Sequence, residues 1–230
     1  MKNLAESHSD AGAGSLPVED AMGRQRRRLH EAFAAFAQER ELQDKVLDLG
    51  AIGHSQSADR LQVKGRHSVD HHVTFHDVLL PADREHQSGN VGKHDDLGIV
   101  LELPFADNEF DWVFCNRVLE FAGDTVQQFM VLKEITRVAR RGVFVTASNR
   151  RHPVELNTGL PLLHWLPNRA WQSILAWGGI KNIDDLPKHL LSADDLSKMA
   201  SLLSGHGSFD IGHIRYLGIK AHFFLMIRKD

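Results

Sequence analysis

Five short, strongly apolar runs constrain the fold of this chain more than any other feature. They read KVLDLG (45–50), HHVTFHD (71–77), LGIVLELPF (97–105), FDWVFC (110–115) and GVFVTAS (142–148). Each is short for a helix and rich in β-branched or aromatic residues, and most are too apolar to leave one face in water. Helical periodicity separates them. Leu29, Phe33, Phe36 and Ala37 form one stripe in an amphipathic segment from Arg24 to Leu42, and Val126, Phe129, Met130, Leu132, Ile135 and Val138 form another between about 124 and 140. Buried strands alternating with helices predict an α/β, doubly wound, mostly parallel sheet covered on both faces.

The alternation ends after residue 150. Pro153, Pro161 and Pro167, with Trp165, Trp171 and Trp177 among them, predict an irregular, helical lid insertion over about 152–190. LSADDLSKM (191–199) opens a helix with a capping-box pattern, Ser192 followed three residues later by Asp195. FDIGHIRYLG and IKAHFFLMIRK then read as an antiparallel C-terminal hairpin turning at Gly218. A length of 230 residues suits one domain, placed here at 21–230. The first 20 residues, rich in Ala, Gly, Ser and acids, read as a disordered tail with no signal-peptide core.

No apolar run reaches the roughly 18 residues of an integral membrane segment. The single cysteine, Cys115, allows no internal disulfide and fits a cytoplasmic setting. A net charge of −3 supplies no basic field for nucleic acid, and RQRRR (24–28) reads as a solvated helix face.

In a doubly wound sheet, ligands sit at the carboxyl ends of the strands. Those positions hold Asp48 and Gly50, Asp77, Asn116 and Arg117, and the stretch from Ser148 to Arg151. An acid closing the second strand suits a ribose diol. The first turn reads G-A-I-G-H-S over 50–55, with Ile52 where a pyrophosphate would need glycine, so a dinucleotide is disfavoured and an adenosyl cofactor without phosphates is favoured.

VLDLG, LPFADNEFDWVFCNRVLEF and EITRVARRGVFVTASN resemble class I S-adenosylmethionine-dependent methyltransferases of the small bacterial type. The resemblance covers about 42–150, and NRRHPVELNTGLPLLHWLP with LLSADDL extends it toward a subgroup linked to glycan or secondary-metabolite pathways. It implies a Rossmann-like sheet of seven strands, S-adenosylmethionine as cofactor and S-adenosylhomocysteine as product. It also implies roles: Gly50, Ala51 and Gly53 against the cofactor's amino acid part, Asp48 toward its ammonium, Asp77 on the ribose, and Val78 on the adenine. Backbone at Val100 and Leu101 would meet the adenine too, and Asn116 the methionine moiety. The expected function is methyl transfer to a small-molecule or glycan-type acceptor in a biosynthetic pathway.

Two departures keep a second reading open. The turn carries Ile52 and His54 instead of further glycines, and Ile99 stands where the family has an acid for the adenine amino group. One lost charge-assisted hydrogen bond costs about 1.5–3 kcal/mol. The alternative is a catalytically inactive, methyltransferase-like binding or regulatory protein.

Of the 15 histidines, His71, His72 and His76 lack a ligand pattern, and no metal is expected. His152, Glu155 and His164 follow the fifth strand on the expected acceptor side and are the candidate general bases. GLPLLHWLPNRAWQSILAWGG, large and apolar with little charge, would suit a lipid-linked or aromatic acceptor.

Overall fold

The computed structural model describes residues 17–37, 44–51, 73–78, 102–154, 165, 189–203 and 207–230. In chain order these form α1 (Pro17–Phe36), β1 (Val46–Ala51), β2 (Val73–Val78), β3 (Phe110–Asn116), a single 3-10 turn (Val118–Phe121), α2 (Thr125–Val138), β4 (Ala139–Ser148), α3 (Ala193–Leu202), β5 (Ser208–Tyr216) and β6 (Ile219–Arg228). The described strands make one six-stranded sheet in the order β2-β1-β3-β4-β6-β5. β2, β1, β3 and β4 are parallel, while β6 runs antiparallel to both β4 and β5. From β1 the chain crosses outward to β2 on one side and then to β3 on the other, so the switch in strand order lies between β1 and β3.

Period-two alternation sorts the core into two layers. Val46, Trp112, Phe114 and Phe144 pack beneath Phe33 and Phe36 of α1 and the Ala37 that follows it. Leu47, Leu49, Val113, Cys115, Val143 and Val145 face the other way, toward Val131, Leu132 and Ile135 of α2 and Leu196 and Met199 of α3. The α1 layer is built of rings. Phe114 and Phe144 stack at 5.8 Å, Phe144 and Phe224 at 5.1 Å, and Phe33 and Phe36 meet them from above. Gly142 allows this closeness, because a Cβ there would lie 2.8 Å from the Trp112 ring and 2.9 Å from the Ile227 carbonyl.

Both later helices begin where side chains satisfy their first N–H groups. Asp124 and Gln127 exchange bonds of 2.9 Å across the start of α2, and Ser192 with Asp195 forms the expected capping box at α3. The β5–β6 turn is Leu217-Gly218, with φ of 51° and 79°, the left-handed pair that a two-residue hairpin of this twist requires.

Three boundaries differ from the sequence-based expectation. α1 starts at Pro17 instead of Arg24, taking in residues 17–20 of the expected tail and ending at Phe36. Its first turn, PVEDAM, has a proline where the missing N–H costs nothing and good helix formers after it. In the run expected as a strand over 97–105, residues 102–105 form bends before β3, and 97–101 lie outside the described residues. β4 starts at Ala139, directly after α2, with no intervening loop.

Candidate active site

The carboxyl ends of β1, β3 and β4 converge beside the switch point. Gly50 pairs with Asp77 in the β1–β2 register, and Ala51 with Val78, so the two strands end level with each other. Asp48, two residues earlier on β1, is buried, and its register partners are Phe75 of β2 and Phe114 of β3. Asn116 ends β3, and its Oδ1 accepts a 2.6 Å bond from the Thr146 hydroxyl of the neighbouring strand.

On the α1 side of the sheet, each strand turns polar toward the carboxyl end of the parallel strands, along a staggered line in which Asp48 pairs with Phe114, Asn116 with Thr146, and Ser148 with His222. Val46 gives way to Asp48, Phe114 to Asn116, Phe144 to Thr146 and Ser148, and Phe224 to His222. Ser148 and His222 are partners in the β4–β6 register, so their side chains leave the same face side by side. α1 runs across this step. Phe36 meets Trp112 at the amino end of β3, Phe33 and His30 meet Phe114, and Gln25 lies one turn beyond Leu29 on the same stripe. Gln25 to Phe36 spans roughly 16 Å of helix, enough to bring Gln25 over the polar end of the sheet. It is buried while Arg24, Arg27 and Arg28 around it are exposed.

Behind β4 a charged pair fixes the backbone. Arg117 takes the left-handed conformation, φ 61°, directly after β3, and its N–H donates to the Thr146 hydroxyl at 3.1 Å. Its guanidinium bonds Glu120 at 3.3 Å, and the fully buried Glu120 carboxylate accepts the Ser148 N–H. From Asn149 the chain leaves the sheet and returns at Leu191, where the two form a parallel bridge, and the exposed Trp165 indole donates to the Arg150 carbonyl at 3.1 Å.

His152 turns back into this end of the sheet and is 2 % exposed. Its Nδ1 lies 2.8 Å from the Val154 carbonyl and 3.2 Å from the Val154 N–H; in the tautomer that the shorter contact favours, Nδ1 donates and Nε2 carries the lone pair. Its ring lies 6.0 Å from the ring of Tyr216. Burial, followed by the nearby Arg117 and His152, pushes the His222 imidazole down to about 3, so it stays neutral at physiological pH. Gln25 Nε2 and Oε1, Ser148 Oγ, His152 Nε2 and His222 Nδ1 are all buried without a hydrogen-bond partner.

Residues 47–146 match a family model described as a methyltransferase domain. That match supports a class I S-adenosylmethionine-dependent methyltransferase. Solved structures of similar fold include magnesium protoporphyrin IX methyltransferase (ChlM) from Synechocystis PCC 6803 with bound S-adenosylmethionine, 13% identical over 95% of this chain and 87% of that one, at a TM-score of 0.52. The trans-methyltransferase CalH, in complex with S-adenosylhomocysteine, is 11% identical over 94% of this chain and 63% of its own, also at 0.52. A possible exported protein from Bordetella parapertussis is 9% identical over 94% of this chain and 70% of that one, at 0.51. These likenesses are of fold. No curated protein sequence matches the chain.

The sheet thus brings Asp48, Gly50, Ala51, Asp77, Val78 and Asn116 toward one edge, and His152 is buried after β4. Gly53, Val100, Leu101, Glu155 and His164 lie outside the described residues. Gln25, Glu120 and His222 went unmarked in the sequence. Two of them left a trace there: Gln25 interrupts the apolar stripe of α1, and His222 breaks the alternation of a strand that continues with Phe224 and Met226. Among the described residues no helix is long and apolar enough to cross a membrane, and no three His, Cys, Asp or Glu side chains group as a metal site.

Proposed function

We propose that this domain methylates a small-molecule or glycan-type acceptor in a cytoplasmic biosynthetic pathway. The observation that carries the reading is the polar step across four adjacent strands, beside the switch point of the sheet. S-adenosylmethionine fits that edge. A buried acid at Asp48 suits its ammonium, and Gly50 leaves room for backbone approach. Asp77, level with Gly50, suits the ribose hydroxyls, with Val78 beside the adenine. Gly53 would continue the turn, Val100 and Leu101 would present backbone to the adenine, and Asn116 would border the methionine part.

When bound, the cofactor supplies a methyl activated by its sulfonium and leaves as S-adenosylhomocysteine. The remaining work is alignment and proton removal. His152 is the general base in this reading, because its Nε2 lone pair is buried and unpartnered while Nδ1 is held by its own turn. Glu155 and His164 would complete the acceptor side. The segment 152–190 acts as the lid, supported by the Asn149–Leu191 bridge that closes its base next to Ser148. Apolar side chains in the lid would receive a lipid-linked or aromatic acceptor.

The test is transfer of an isotope-labelled methyl from S-adenosylmethionine into a small-metabolite extract, read by mass spectrometry. A labelled small product is expected. Label recovered only in protein or nucleic acid would overturn the acceptor class.

A further inference from the structure

We propose that Ser148 and His222, roofed by Gln25, form an acceptor subsite that selects an uncharged hydroxyl group and holds it beside His152. The inference rests on the methyl-transfer reading and narrows its acceptor. Ser148 of β4 and His222 of β6 are register partners, Gln25 lies on the stretch of α1 that continues past Phe114 toward that end of the sheet, and all three bury polar atoms without partners. Buried polar groups are almost always hydrogen-bonded, so an unpaired set at a ligand-binding edge marks where a ligand's polar group completes the bonding.

The chemistry of the set narrows the ligand. A serine hydroxyl, a carboxamide and a neutral imidazole each donate or accept, as an alcohol or phenol does. His222 brings no positive charge for a carboxylate. Glu120, the neighbouring carboxylate, is already bound by Arg117 and the Ser148 N–H, so it is not offered to an ammonium group. The positive charge near His222, Arg117, is already paired with Glu120, so an anionic acceptor group would be buried here without a counter-charge of its own, which is costly. A hydroxyl can come from a phenol or from a sugar, and the two are separated experimentally.

Protein labelled with nitrogen-15 at histidine, loaded with S-adenosylhomocysteine, is titrated with catechol, methyl glucoside, acetate or ethylamine, and the His152 and His222 ring signals are followed. Saturable shifts are expected from catechol, from methyl glucoside or from both, which identifies the hydroxyl's source. Ser148→Ala and His222→Leu should each weaken that binding roughly tenfold, the loss of one hydrogen bond. His222→Gln should recover most of it, and S-adenosylhomocysteine affinity should stay within about twofold throughout, as expected of groups outside the cofactor's contacts.

Larger shifts with acetate or ethylamine, no shift with any probe, or loss of S-adenosylhomocysteine binding in both variants would overturn the subsite. The same titration without S-adenosylhomocysteine separates the two claims. If wild-type protein fails to bind S-adenosylhomocysteine but a hydroxyl probe still moves both rings, the subsite stands and the methyl-transfer reading falls.

Discussion

Replacing Arg137 with methionine should loosen the loop that leads into β3. Arg137 draws residues 103–109 onto α2 through Asp107 at 2.5 Å, the Phe105 carbonyl at 2.9 Å, the Leu103 carbonyl at 3.3 Å and Glu134 at 2.7 Å. Glu134 in turn accepts the Leu103 N–H at 2.8 Å. Asp107 is 72 % exposed, so that pair contributes under about 1 kcal/mol. The bonds to Glu134 and to the carbonyls are charge-assisted and better shielded. Each would cost about 1.5–3 kcal/mol if fully buried, but water can reach a side chain that is 30 % exposed. The net loss expected for Arg137→Met is therefore about 2–3 kcal/mol, a fall in Tm of roughly 4–12 °C for a chain of this size.

Thermal and urea unfolding measure it, with Asp107→Asn as the control that should cost under about 1 kcal/mol. A pH series adds a second check. Burial alone would raise the Glu134 carboxyl, but the Arg137 hydrogen bond and the Leu103 N–H outweigh it and hold the group below its ordinary 4.5. A depressed carboxyl stabilises the fold above its unfolded value, and that stabilisation is lost as pH falls through the folded value. The gap between wild type and Arg137→Met should thus narrow below about pH 4. A loss under about 0.5 kcal/mol at neutral pH, or a gap that widens in acid, would refute the reasoning.

The site yields further expectations. Asp77→Ala should weaken S-adenosylhomocysteine binding by about tenfold or more, and His76→Ala by less than about twofold, both by calorimetry. Equal effects would mean that β2 is offset by one residue, which exchanges its faces. His152→Ala should lower labelled-methyl transfer by about 10²–10⁴ while cofactor binding persists, as for loss of a general base, whereas loss of binding would make His152 structural. Cys115, fully buried, has a thiol pushed far up, chiefly by burial, although a backbone bond from Val118 partly offsets this. A thiol reagent should leave it untouched in native protein and label it on unfolding, while rapid native labelling would contradict its place in the core.

The parallel core was legible because β1, β3 and β4 are buried on both faces, which leaves an apolar signature that water-facing strands lack. The acids and glycine closing β1 and β2 were legible for a related reason, since a polar residue ending such a run has a ligand or a backbone need to explain it. LPFADNEFD, the most family-specific stretch, has a different meaning in three dimensions. Its Phe105 packs edge-on against Phe110 at 4.9 Å, and its Asp107 and carbonyls hold Arg137 at the amino end of β3, away from the ligand edge. The motif reports the family through a structural clamp. His222 and Gln25 were hidden because their location depends on pairings distant in sequence. Only the β4–β6 register sets His222 beside Ser148, and only the path of α1 across the rings directs Gln25 toward the polar end. The early start of α1 was hidden by an N-terminal composition rich in small residues.

Calorimetric titration with S-adenosylmethionine and S-adenosylhomocysteine tests the central claim most directly, because the altered turn at Ile52 and the missing acid at Ile99 both bear on cofactor affinity. Saturable binding of both ligands, with a matching rise in Tm, is the predicted result. No heat and no thermal shift at millimolar ligand would contradict it and leave a methyltransferase fold that serves as a binding or regulatory protein.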